Sequence, residues 1–174
     1  VTQSNDDNVS GRAGLLPFPL AYQEAPVSVT LYTYQSEKLA YPADECASTM
    51  YRGFGGLEGN FCWSNSEDAS VRCMLRQQDY TMTLQMGCML DLNRLGFAQY
   101  PVTIEINGKS AGTVTVDESS NGQSLSLDIP AACLEDGQNI VTLRCDLWEA
   151  KKISESDPRL LGFPLESIVF TPQG

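Results

Sequence analysis

The chain has 174 residues, 42% of them hydrophobic and 19% charged, which suits one globular domain with a sizeable core and argues against a disordered chain. Acids outnumber bases 22 to 11 for a net charge of −11, so neither a nucleic acid, whose phosphates need a basic face, nor an anionic lipid surface is an expected partner. There is no histidine, which removes Ser-His-Asp and Cys-His nucleophiles and every histidine-bearing metal site.

Residues 1–13, VTQSNDDNVSGRA, are polar and aperiodic and read as a flexible lead-in to a single domain over 14–174. No apolar run approaches the ~20 residues of a membrane-spanning helix, so direct membrane insertion is not expected. Val1 opens without an initiator methionine or a signal-peptide pattern, as a mature segment or an excised domain would. The run from Leu15 to Leu20 holds two prolines, which suits an edge strand, because proline donates nothing to a ladder. VSVTLYTY (27–34) alternates and is rich in β-branched and aromatic residues, the pattern of a strand, and 35–50 reads as a loop containing Pro42.

Tyr51–Ser64, YRGFGGLEGNFCWS, is the stretch around which the rest is organised. Its glycines allow tight turns or close backbone approach, and its aromatics can cap a core or offer a flat face to a ligand. Strands are then expected over 69–75, 80–89, 101–107, 111–116, 124–129, 139–148 and 161–171, with a loop over 91–100 and one helical turn over 130–137. Asn107-Gly108 is the clearest hairpin signal, since both central positions of a type I′ turn need positive φ. About nine strands joined by short turns, with no helix of ordinary length, make an all-β antiparallel sandwich or barrel.

The six cysteines, at 46, 62, 73, 88, 133 and 145, admit a disulfide reading. However, Cys73, Cys88 and Cys145 alternate with apolar residues in their strands, where a free thiol serves as a small hydrophobe. Core thiols are favoured, and Cys46–Cys62 is the pairing to expect if a bridge forms. No CxxC is present to suggest zinc.

The order of short motifs resembles the jelly-roll accessory domains, related to carbohydrate-binding modules and galactose-binding-like domains, found on bacterial cell-surface glycosyltransferases and phosphoglycerol-type transferases. The matching pieces are Gly53-Phe54, Glu58, Phe61-Cys62-Trp63-Ser64 and Tyr100–Gly108. They continue with Ile129-Pro130-Ala131, Asp136–Asn139, Asp157–Phe163 and Leu165–Ile168, covering roughly 50–171. Cys62 stands where a basic residue is more usual. The resemblance implies a jelly-roll sandwich of about nine strands. It also implies a non-catalytic, extracytoplasmic module at the cell surface that binds or positions cell-envelope polysaccharide for a linked glycan-assembly enzyme. The alternative role is a structural or protein-interaction platform packing on a membrane-embedded partner such as the host glycosyltransferase domain.

The candidate carbohydrate-binding residues are Tyr51, Phe54, Glu58, Trp63, Asp157 and Arg159. Tyr51, Phe54 and Trp63 could stack on the C–H face of a sugar. Glu58, Asp157 and Arg159 could hydrogen-bond its hydroxyls or an anionic substituent, or could instead be an ion pair tying the glycine-rich loop to the C-terminal loop. Trp63 and Trp148 also have the ordinary reading of core tryptophans. Glu166, in LESIVF, occupies a position that in some carbohydrate-binding sandwiches ligates calcium. The first strand brings no matching acid cluster, so a structural calcium is the lesser reading and no other cofactor is expected. With 22 acids some pair will fall at hydrolytic spacing by chance, so a glycosidase or esterase stays the third and weakest reading.

Overall fold

A computed structural model describes residues 39–174, and the expected lead-in over 1–13, edge strand over 15–20 and strand over 27–34 lie outside the described residues. The described chain opens with β1 (Ala40–Pro42) and α1 (Ala43–Met50). The glycine-rich stretch supplies β2 (Tyr51–Arg52), β3 (Phe54–Glu58) and β4 (Phe61–Ser64). Then come β5 (Asp68–Leu75), β6 (Tyr80–Met86), the single turn α2 (Leu92–Leu95), β7 (Tyr100–Ile106) and β8 (Lys109–Val116). The chain ends with β9 (Leu125–Ile129), β10 (Gly137–Arg144), β11 (Trp148–Glu149), β12 (Leu160–Leu161) and β13 (Pro164–Pro172), with 3-10 turns at Ala131–Cys133 and Ala150–Lys152.

The strands form an antiparallel jelly-roll sandwich. One sheet runs β3-β4-β13-β6-β9, with β1 also paired to β13; the other runs β2-β5-β10-β7-β8; β11 and β12 form a small pair of their own. Period-two patterning explains the two layers. β5 turns Ala69, Val71, Cys73 and Leu75 inward, β6 turns in Tyr80, Met82, Leu84 and Met86, and β10 turns in Val141 and Leu143. Tyr41, Tyr80 and Phe170 meet edge to face in the core, with ring centroids 6.3 and 5.8 Å apart. The β7–β8 turn has the expected form, with φ of 52° at Asn107 and 78° at Gly108.

Two buried polar side chains hold the connections. Asn139 is fully buried; its Oδ1 accepts from the Glu135 backbone N–H (2.9 Å) and Asn107 Nδ2 (2.8 Å), and its Nδ2 donates to the carbonyls of Glu135 (2.8 Å) and Gly137 (3.1 Å). Asn107 Oδ1 in turn accepts from the Ile140 N–H at 2.9 Å, so the β7–β8 turn is bolted to the start of β10. Ser64, also fully buried, accepts the Phe163 N–H on Oγ at 2.8 Å. The Gly162 N–H donates to the Ser64 carbonyl at 2.8 Å.

Within the described residues, the expected loop over 35–50 is instead β1 followed by the eight-residue α1. Ala43 and Cys46 bury, Ala47 and Met50 pack beside them, and Asp44 and Glu45 sit in the first turn, where the helix dipole favours acids. The expected loop over 91–100 holds α2, whose Asp91 side chain accepts the Arg94 N–H and whose end is closed by Gly96 at φ 86°. All six cysteines are free thiols, five of them buried, and Cys46 and Cys62 are not bridged.

Candidate functional site

The β3–β4 hairpin turns at Gly59, φ 71°, and sets Glu58 opposite Phe61. In β4 the side chains of Cys62 and Ser64 go inward, so Phe61 and Trp63 take the outer face, both half-buried. Trp63 is fixed in orientation by three neighbours. It meets Phe61 edge to face at 5.6 Å and Trp148 at 5.4 Å, and its indole N–H donates to Glu58 Oε2 at 3.2 Å.

The second half of the site comes from the segment before β12. Arg159 Nε and Nη2 fork onto the Asp157 carboxylate at 2.9 and 2.7 Å, and Arg159 Nη1 reaches Glu58 Oε1 at 2.5 Å. The Glu58 carboxylate thus bridges the Trp63 indole and the Arg159 guanidinium. The Arg159 side chain, helped by its own backbone N–H, holds the Asp157 carboxyl below the usual carboxylate range. Its hydrogen bonds to Asp157 first and to Glu58 second raise the guanidinium above its ordinary value, so it is charged under all working conditions. Three of its five N–H groups are engaged and two have no partner among the described residues.

Gly162 explains how these halves come so close. A Cβ there would overlap Ser64 Oγ and lie 3.0 Å from Cys145 Sγ, so only glycine lets the 157–163 segment lie against β4. The Trp148 indole donates to the Gly162 carbonyl at 3.3 Å, and Trp148 is 6% exposed, so this tryptophan is structural.

Between the two halves lies a cleft of about 340 Å³, lined by Gly55, Gly56, Trp63, Asn65, Arg159, Leu160 and Leu161. Its volume is at the lower end of ligand pockets, roughly 300–1,000 Å³. The structure therefore brings Glu58, Trp63, Asp157 and Arg159 together. It does not bring Tyr51 with them. Tyr51 was expected to be available for stacking, but it is 9% exposed and its hydroxyl donates to the Tyr41 carbonyl at 2.6 Å, which makes it a core residue. Phe54 is half-buried against the core with its ring 5.0 Å from that of Tyr51. Asn65 and Leu160 line the cleft without having been singled out. Asn65 follows directly on the Tyr51–Ser64 stretch, and Leu160 is one letter of the Asp157–Phe163 motif. Glu166 is half-buried on β13, and no group of three or more cysteine or acidic side chains gathers to hold a metal among the described residues.

No family model matches the chain, and no curated protein matches it. Among solved structures, it is similar to a family 35 carbohydrate-binding module from an environmental isolate, with TM-score 0.50 and 18% identity over 79% of this chain and 95% of that one. A family 35 module from Cellvibrio japonicus aligns at TM-score 0.46 and 17% identity, over 78% of this chain and 94% of that one. A family 36 module of a multidomain xylanase from the hindgut metagenome of Trinervitermes trinervoides aligns at 0.47 and 15%, over 78% and 97%. At these identities the first likeness speaks to the fold, and the two lower scores add no argument. The described chain has the jelly-roll sandwich architecture of carbohydrate-binding modules.

Proposed function

We propose that this protein is a non-catalytic carbohydrate-binding module whose ligand lies in the cleft beside Trp63. The observation that carries the reading is the clamped pair at the cleft wall. One aromatic plane is fixed by Glu58, Phe61 and Trp148, next to one guanidinium fixed by Glu58 and Asp157 that still has two free donors. An indole face suits the C–H face of a pyranose, and prealigned donors and carboxylates suit its hydroxyls. Two carboxylates against one guanidinium leave the cluster at net −1, so neutral sugar hydroxyls are favoured over an acidic substituent.

The finer reading rests on the sequence resemblance. In it the ligand is a cell-envelope polysaccharide, the location is extracytoplasmic, and the module positions glycan for a linked glycan-assembly enzyme. The test is an array of bacterial envelope glycans probed with the wild type and Trp63→Ala. Binding by the wild type that is lost in a folded Trp63→Ala supports the proposal. A folded wild type that binds nothing contradicts it and favours the interaction-platform role. One observation speaks for that second role: Leu57 and Leu160, in the same two segments that build the cleft, are 47% and 52% exposed.

A further inference from the structure

A second cleft, of about 290 Å³, opens on the outer face of the other sheet and is lined by Met50, Arg52, Ser70, Arg72 and Ile140. Register explains why these side chains share it. Arg52 of β2 stands opposite Ser70 of β5, and Ile140 of β10 stands opposite Arg72. Ala69, Val71 and Cys73 are fully buried, so Ser70 and Arg72 occupy the outward positions of β5. Arg52 and Arg72 are then diagonal cross-strand neighbours, about 7–8 Å apart at the backbone, a span their long side chains close easily.

Three described cations are held by acids, and two lysines, Lys109 and Lys152, reach backbone carbonyls instead. Arg144 is paired to Glu105, Lys151 to Glu149, and Arg159 to both Glu58 and Asp157. Arg52 and Arg72 have no carboxylate or other partner among the described residues, and no acid lines their cleft. In a chain with 22 acids and 11 bases, two neighbouring guanidiniums with no carboxylate paired to them concentrate positive charge at this cleft, since Asp68, on the same face of β5, is engaged by Ser66 and stands opposite Arg144. Met50 and Ile140 provide apolar walls that limit competing water, and the Ser70 hydroxyl lies beside the pair as a neutral donor.

We propose that this cleft is a binding site for a phosphate-type oxyanion, held by the forks of Arg52 and Arg72 and by the Ser70 hydroxyl. Planar guanidinium forks match the oxygen spacing of such a group, and two positive charges match the near-dianion of a phosphate monoester better than the single charge of a carboxylate. The site is separate from the Trp63 cleft, which is built from the other sheet. The same chemistry is offered by free inorganic phosphate and by a phosphate carried on a sugar.

The test is calorimetric titration of the full chain in low-salt, phosphate-free buffer with inorganic phosphate and with glucose 6-phosphate, repeated on Arg52→Gln, Arg72→Gln and Trp63→Ala. Binding of either probe is expected to weaken by about tenfold or more in each arginine variant, as loss of a charge-assisted fork requires, and binding of inorganic phosphate is expected to be unchanged in Trp63→Ala. Equal binding of the two probes supports a site for the free ion, and tighter glucose 6-phosphate that persists in Trp63→Ala supports a sugar-borne group. Arg52→Lys with Arg72→Lys keeps the charge without the fork and is expected to retain part of the affinity. Failure of the folded wild type to bind either probe, or affinity unchanged by both glutamine substitutions, would overturn the proposal.

Discussion

Asn139 shows how a buried polar residue can decide a local structure. Its four hydrogen bonds satisfy groups on both sides of the β10 start, and no water replaces them at zero exposure. Asn139→Ala leaves those partners unsatisfied and is expected to cost about 1–3 kcal/mol, read as a drop in thermal midpoint of roughly 2–4 °C per kcal/mol. A midpoint unchanged within error would mean the network does not hold the turn. Gly162 makes the complementary case through space rather than polarity. Gly162→Ala forces a methyl into Ser64 Oγ and is expected to cost about 1–3 kcal/mol as an overpacking substitution. Gly56→Ala meets nothing within 4 Å and serves as the near-neutral control. Equal stability of the two variants would contradict the close-approach account.

At the scale of elements, the Glu58–Arg159–Asp157 chain joins the β3–β4 hairpin to the segment before β12. Arg159 and Glu58 are exposed and Asp157 is partly so, and surface ion pairs contribute about 0–1 kcal/mol, so Arg159→Gln is expected to change unfolding free energy by less than about 1 kcal/mol. If the arginine contacts ligand, the same substitution weakens glycan binding well beyond that; if it is only a tie between segments, binding stays put. The Asp157 pKa is lowered in the folded protein, so its contribution is present above its ordinary value of 3.8 and is lost as pH falls through the lower native value. Chemical denaturation of wild type and Asp157→Asn across the acid range should show a difference that shrinks as pH falls; a difference that grows toward acid would reverse the sign argued here.

The elements also show what the sequence could and could not reveal. The strands β5 to β10 and β13 were legible because each is long enough to show alternation, whereas β11 and β12, two residues each, merge in the pattern with the ends of the neighbouring strands; the β7–β8 turn was legible because Asn107-Gly108 demands positive φ at both positions. The helix α1 was not, because ADECASTM is rich in weak helix formers and follows Pro42, although Ala43, Cys46, Ala47 and Met50 do carry the i, i+3, i+4, i+7 spacing. Tyr51 misled for a related reason: β2 has two residues, too few for alternation to show which face a side chain takes. The Arg52–Arg72 pairing depends on strand register between separate segments, which no local pattern displays.

At the scale of the whole molecule, a sandwich with free core thiols uses its strands for packing, and the proposed recognition falls to the hairpin and segment that flank one end of β13. Fold alone does not assign that recognition, so the proposed function depends on the Trp63 cleft. The chain has two tryptophans, and Trp148 is buried, so collisional quenching by acrylamide reports mainly on Trp63. The most direct test is quenching of the intact protein with and without a panel of neutral and uronate-containing oligosaccharides. Protection of Trp63 by neutral members, with weaker or no protection by uronates, is the result this account predicts. A folded protein whose tryptophan quenching no oligosaccharide alters would contradict carbohydrate binding at this cleft.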